Sequence, residues 1–306
     1  TENVTTVLEF RLLGFSSRPL CQLLIFTLLL VIYILIILGN IIIISVVTLE
    51  PQLHSPMYKF LKNLPFLELC YTTAIVPKML VDLLAKRKSI SFSGCMAQLS
   101  YFVALGATEC YLLAVMAYDR YLAVCEPLRY GVAMTAESYT RLAVGCWLAG
   151  VLTGVPPCLM VSRLRFGSRK LIDHFFCDIS PLLKLSCSDT TVTQAVIFIL
   201  SLLVLSSCFL LTLGSYLLII LSILKIPSAS GRRTTFSTCS SHLLVVTIYY
   251  GTMISMYTHP TYNVSSELNK AVSVFYTVVT PLLNPVIYSL RNEAFKKALE
   301  KIVTRH

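Results

Sequence analysis

The chain has 306 residues, of which 56% are hydrophobic and only 13% charged, and its mean hydropathy is +0.76. Soluble domains are about 25% charged, so this chain has too little polar surface to enclose a core of that size, and the reading is a polytopic membrane protein. The net charge of +10 is assigned to anionic headgroups and an acidic partner at the membrane face. No lysine-rich tail carries interleaved aromatics, so nucleic acid is excluded as a partner.

The opening stretch, TENVTTVLEFRLLGFSS, has no basic segment followed by an apolar one. No cleavable signal is therefore expected, and the first span is expected to act as the targeting signal. Crossing a bilayer takes about 20 apolar residues as helix. Seven stretches qualify: 22–48, 57–84, 92–124, 140–161, 192–224, 232–258 and 268–290. Short polar or proline-containing connections such as EPQLHSP and KIPSASGRR separate them, and the longest connection covers 162–191. The last piece, 291–306, has Phe295, Leu299 and Ile302 at helical spacing with lysines elsewhere, the pattern of a helix lying on a membrane surface. The expected fold is an all-α membrane protein forming one domain over 1–306. It has an extracellular segment 1–21, a seven-helix bundle 22–290 and a cytoplasmic amphipathic helix 291–306. No internal repeat is visible, which counts against inverted-repeat transporters.

Seven spans put the two termini on opposite sides. Lys86, Arg87 and Lys88 share a side with the basic residues of the long loop, so the Lys/Arg bias does not orient the chain. The sequons Asn3-Val4-Thr5 and Asn263-Val264-Ser265 fall on one side, as glycosylation acceptors would. The N-terminus is therefore expected outside, in the plasma membrane, with Asn3 as an acceptor.

Eleven cysteines is an odd number, so at least one stays unpaired within the chain. Cys70, Cys110, Cys146 and Cys208 lie inside spans and read as small apolar packing residues. Cys95, Cys177 and Cys187 lie on the side that permits disulfides. A Cys95–Cys177 bridge would tie the long loop to the third span, but spacing does not select the pairing.

Ionisable groups inside a bilayer are costly and read as functional by default. Glu68 lies in the second span and Glu109 in the third, with Asn40 and Asn284 as neutral oxygen donors in the first and seventh. Two carboxylates in one bundle would repel, so either one stays neutral or a cation such as sodium sits between them. The competing reading is a set of hydrogen bonds that hold helices together. Glu109 and Arg120 are about three turns apart on one face, a stripe that begins with Phe102 and Gly106. On physical grounds alone, Asp119-Arg120 reads first as a pair of snorkelling interface anchors.

Eight stretches in order carry a resemblance: GN at 39–40, LHSPMY at 53–58, MAYDRYLAVCEPLRY at 116–130, HFFCD at 174–178, LKLSCSD at 183–189, SY at 215–216, TTFSTCSSHL at 234–243 and PLLNPVIYSLRN at 281–292. With them the chain resembles the odorant receptors, of the tetrapod type, within the rhodopsin-like G-protein-coupled receptors. The resemblance implies that Arg120 meets the C-terminal helix of an olfactory stimulatory heterotrimeric G protein, held at rest by Asp119. It implies that Tyr216, His242 and Tyr288 rearrange with it, and that Asn284-Pro285 forms a seventh-span hinge. Glu68 and Glu109 match acidic positions around an ion site, and Cys95 and Cys177 match a loop-to-helix disulfide. Two departures stand out. Gly167 occupies the position of a further loop cysteine, which puts a second disulfide in doubt. Lys59, Lys62 and Pro65 replace aromatic and small residues, so two snorkelling lysines and a kink before Glu68 are expected.

The resemblance also implies a small, mostly apolar volatile ligand between spans three, five and six. Phe102, Val103, Gly106, Leu200, Ser201, Val204, Tyr250, Ile254, Tyr257 and Thr277 are the expected lining. Phe102 stands where amine receptors of the wider family carry an aspartate, so amines rank low. Lys270 would change the ligand class if it pointed inward. The alternatives are a receptor for a lipid or metabolite, and an ion transporter or channel using Glu68 and Glu109. No metal cluster or nucleophile–base pair suggests an enzyme.

Overall fold

The computed structural model describes the backbone of residues 8–15, 18–168, 170–257, 266–291 and 293–304. It describes the same side chains apart from 230, 233, 234, 237, 238, 255–257, 266, 288–291 and 293. Asn3 and Asn263 lie outside the described residues, as do the side chains of Tyr257 and Tyr288.

The spans lie close to where hydropathy puts them: α1 (Pro19–Leu49), α2 (Pro56–Leu84), α3 (Phe92–Cys125), α5 (Ala136–Ser162), α7 (Thr191–Leu224) and α8 (Ala229–Tyr257). The seventh is composite, with α9 (Ser266–Val274), a π-helical turn Phe275–Val279 and α10 (Thr280–Arg291). Between spans lie the short α4 (Pro127–Ala133) and α6 (Ile179–Leu185), and α11 (Glu293–Thr304) closes the chain. Six helical stretches are long and apolar enough to cross a membrane. In α8, 29 residues long, the apolar stretch among the described residues is Cys239–Ile254.

Local chemistry explains the starts. α1, α2 and α4 begin on proline, whose missing N–H costs nothing in the first turn. The Ser91 and Thr135 hydroxyls cap α3 and α5, accepting from the Gly94 and Ser138 N–H groups at 3.1 and 3.2 Å. α2 runs on through Pro65 and Pro77. Lys59 packs on α5, its Nζ 5.9 Å from the Tyr139 ring centroid.

Glycines and polar side chains set how the spans meet. A Cβ on Gly150 would stand 1.9 Å from Thr108 Oγ1, and one on Gly154 would stand 2.6 Å from Ala104 Cα, so α5 lies directly against the backbone of α3. Gly39 of α1 likewise faces Pro285, 3.1 Å from its Cβ. Trp147 and Tyr139 of α5 hydrogen-bond Asn63 of α2, both at 3.2 Å.

The segment expected as a plain N-terminal extension contributes structure. β1 (Glu9–Leu12) is the central strand of a small sheet, antiparallel to β2 (Ser89–Ser91) and parallel to β3 (Leu171–Ile172). Phe10 is fully buried against Phe92 and Phe166. The long loop is likewise structured by β3 and α6, and the Cys95–Cys177 disulfide pins it to the start of α3. At the opposite end α11 lies on the bundle as expected from its apolar stripe. Phe295 is buried, and Lys301 pairs with the buried Glu50 at 2.8 Å.

Candidate ligand site and the Arg120 cluster

Beneath the disulfide-pinned loop, a cavity of about 980 Å³ opens between α3, α5, α7, α8, α9 and α6. Six of the ten expected residues line it: Phe102, Val103, Gly106, Leu200, Ser201 and Val204. Gly106 faces open space, with no atom within 4 Å of where a Cβ would lie. The aromatic wall is ordered, since Phe102 packs on Tyr71, Phe176 and Tyr276 at centroid distances of 5.3, 5.1 and 5.4 Å.

Three expected residues lie elsewhere. Tyr250 is buried below the cavity against Phe209 and 3.7 Å from the Cys110 sulfur. Ile254 is half exposed on the outer face of α8. Tyr249, Thr252 and Met253 line the cavity in their place. They are spaced i, i+3, i+4, so α8 is turned by about 100° from the expected register. Tyr249 donates to the Gly106 carbonyl at 2.8 Å, which holds α8 in that rotation. Thr277 is fully buried, and its hydroxyl donates to the Ser273 carbonyl at 2.7 Å. The π-helical turn adds a residue to its turn and presents Tyr276 and Thr280 to the cavity instead.

Sequence reasoning missed the fourth-span face, Thr153 and Pro157, and the roof formed by Asp178, Ile179, Ser180, Leu183 and Lys184. The Gly150/Gly154 pair was the available signal, because it draws α5 against α3. In the loop, the His174 ring lies between Phe175 and Phe176, with centroids at 4.6 and 4.8 Å. Burial, helped by the nearby Lys270 charge, holds His174 down at about 3. Asp178 caps α6, accepting from the Ile179 N–H at 2.8 Å, and burial pushes its carboxyl up to about 6. Lys270 does not line the cavity; it pairs with Asp173 at 2.7 Å and Glu267 at 3.2 Å.

Below the cavity the two acids part. Glu109 lines the cavity floor. Glu68 does not: it accepts a hydrogen bond from the Asn284 amide, and Asn40 is also its partner. Asn40 Oδ1, Glu68 Oε2 and Asn284 Oδ1 are buried side-chain oxygens with no hydrogen-bond partner.

At the far end of α3, Arg120 donates to Asp119 at 2.7 Å, and Tyr130 of α4 donates to the other Asp119 oxygen at 3.0 Å. Asp119 and Arg120 are both buried. Tyr216 and His242 meet at 2.6 Å between the hydroxyl and Nδ1, joining α7 to α8. Ser241 donates to the Ile287 carbonyl at 3.3 Å, joining α8 to α10. Asn284 and Pro285 are buried in α10.

The family description "Olfactory receptor" matches residues 29–306. This chain belongs to the olfactory receptor family. The human "Olfactory receptor 11L1" is 59% identical over 304 residues, covering 99% of this chain and 94% of that protein. The human "Olfactory receptor 6N1" is 47% identical over 305 residues, covering 100% and 98%. The fold is that of squid rhodopsin, with a TM-score of 0.75 over 94% of this chain and 82% of that one at 16% identity. An olfactory receptor of this kind is a multi-pass membrane receptor and not an enzyme, which sets aside the transporter reading. One family departure gains a physical description. Gly167, at φ +54°, lies with its Cβ position 3.0 Å from the sulfur of Cys187, which is an exposed free thiol.

Proposed function

We propose that this receptor binds small, mostly apolar volatile odorants in the cavity below the Cys177 loop and activates a stimulatory heterotrimeric G protein, raising cyclic AMP. The observation that carries this reading is the stacking of two unlike sites along α3. An apolar, aromatic-walled cavity reaches down to Glu109, and about three turns below it lies the buried Asp119–Arg120 pair. A ligand that fits better when α8 shifts outward favours the state in which Tyr216–His242 opens and Arg120 becomes accessible. The receptor then works in the plasma membrane with the N-terminus, sheet and disulfide outside and α11 against the cytoplasmic leaflet.

A sodium ion fits the resting state. Asn40, Glu68 and Asn284 supply three buried, unpartnered hard oxygens, the donor type such a cation prefers, and Glu109 adds its charge from the cavity side. When bound, the ion would neutralise Glu68 and tie α1, α2 and α10 together.

The test is a broad odorant panel with a cyclic AMP readout, on the wild type and on Gly106→Trp. The indole would fill the open space at Gly106, so agonists of the wild type should lose their effect at matched surface expression. Unchanged potency in Gly106→Trp would remove the cavity from the reading. A panel without a hit, alongside activation by a lipid, would favour the non-volatile ligand.

A further inference from the structure

The deep end of the cavity holds a charge that the fold does not answer. Glu109 is only 9% exposed and lines the floor, and among the described residues it has no hydrogen-bond or ion-pair partner. Its polar neighbours in the lining are engaged. Tyr249 donates to the Gly106 carbonyl, Thr252 to Ile248 and Thr153 to Ala149. Gln194 donates to the Thr190 hydroxyl at 2.7 Å. A buried carboxylate without a partner is expensive, and the fold retains it at the one place a ligand can reach.

The charge pattern of the lining points the same way. Asp178 adds a second carboxyl at the roof, and the one base among the described lining residues is Lys184, which is exposed at the rim. A carboxylic acid ligand would meet like charges above and below, whereas a cationic nitrogen would find a partner at the floor. The path down to it is open. Glu109 lies seven residues, about two turns, below Phe102 on the same face, and Gly106 between them leaves the way free.

We propose that Glu109 is the ligand-pairing group of this cavity and that the ligand class it selects is a small apolar amine. The ammonium sits at the floor against the Glu109 carboxylate, and the apolar body lies along the wall of Tyr71, Phe102 and Tyr276. The counter-ion missing at Phe102 is thereby supplied two turns deeper, which reverses the low rank that the sequence gave to amines. The proposal rests on the reading of the cavity as the odorant site. It leaves the cation cluster of Asn40, Glu68 and Asn284 untouched.

The test uses the full chain in phosphatidylcholine nanodiscs, with binding read as thermal stabilisation, so that no G protein is needed. The probes are 2-phenylethylamine, 2-phenylethanol and phenylacetate at neutral pH. The wild type should bind the amine most tightly and phenylacetate least. Glu109→Gln should weaken the amine by about 30-fold, the scale of a charge-assisted contact, and leave the alcohol within about 3-fold. Glu109→Asp, which keeps the charge, should retain the preference for the amine. The proposal is overturned if Glu109→Gln weakens alcohol and amine alike, or if the wild type does not bind the amine. It is equally overturned if Asp178→Asn, rather than Glu109→Gln, removes amine binding. Gly106→Trp separates the two levels: amine binding that survives it puts the ligand elsewhere and sinks the cavity reading too. Loss in Gly106→Trp with no loss in Glu109→Gln sinks only the amine.

Discussion

At the Arg120 end of the bundle, buried polar groups are matched. Arg120 has Asp119, Asp119 has Tyr130, and Tyr216 has His242. At the cavity end the deepest polar group, Glu109, faces open space, and the wall around it is aromatic and apolar. Satisfied networks in a low-dielectric interior specify one arrangement and resist being pulled apart. An unanswered group beside an apolar wall specifies an incoming partner instead. One half of the molecule is therefore built to hold a state and the other to be completed, and α3 runs through both.

Arg120→Ala breaks the contrast most completely. It should abolish agonist-driven cyclic AMP at matched surface expression, and retained signalling would take the G-protein contact away from this end. Two glycines sharpen the comparison next. Gly154→Leu drives a side chain into the Ala104 backbone and should cost about 3 kcal/mol or more, seen as loss of folded receptor at the cell surface. Gly106→Leu should fold normally and lose only ligand response, because nothing lies within 4 Å; equal surface loss for both would mean that the cavity is packing. A smaller effect separates adjacent tyrosines. Tyr249→Phe deletes the bond to the Gly106 carbonyl, worth about 1 kcal/mol, and should weaken agonist potency about fivefold. Tyr250→Phe, below the cavity, should leave potency within about twofold.

The smallest effect is pH dependence at the loop. His174 is held near 3 when folded, against its ordinary 6.5. The unfolded chain therefore binds a proton that the folded one refuses, and stability falls as pH drops through 6.5 toward 3. Asp178, raised to about 6 from 3.8, acts oppositely: the folded state takes up its proton first and gains stability as pH drops through 6. Thermal unfolding at pH 5 and 7.4 should show a shift of about 3 °C or less in the wild type. His174→Phe should flatten the acid loss and Asp178→Asn should steepen it. A change of the same sign in both variants would contradict the assignments.

Much of this architecture is legible in the chain. The first five spans begin and end within a few residues of the hydropathic stretches, Phe295 and Leu299 give the face of α11, and the third and fifth spans present their expected cavity residues. What escaped has specific causes. Glu9–Leu12 is too short to announce a strand, and its partners lie about 80 and 160 residues away in two loops. The α8 face was misread by one position, moving Tyr250 and Ile254 off the cavity. Thr277 was displaced by a π-helical turn that no residue pattern marks.

The sequence by itself determined that the chain crosses a membrane seven times, where it does so, and which receptor family it joins. Hydrocarbon demands long apolar helices, and the order of eight short motifs is too specific to arise otherwise. Only the tertiary structure decided how each span is rotated about its axis. In water an apolar stripe marks the inner face of a helix, but in lipid the outer face is apolar as well, so composition cannot tell Tyr249 from Tyr250. Contacts settle it: Gly150 and Gly154 against α3, Tyr249 on the Gly106 carbonyl, and the turn at Phe275–Val279. The same contacts turn Glu68 to its asparagines and Glu109 to the cavity, two acids that the chain alone presents as one pair.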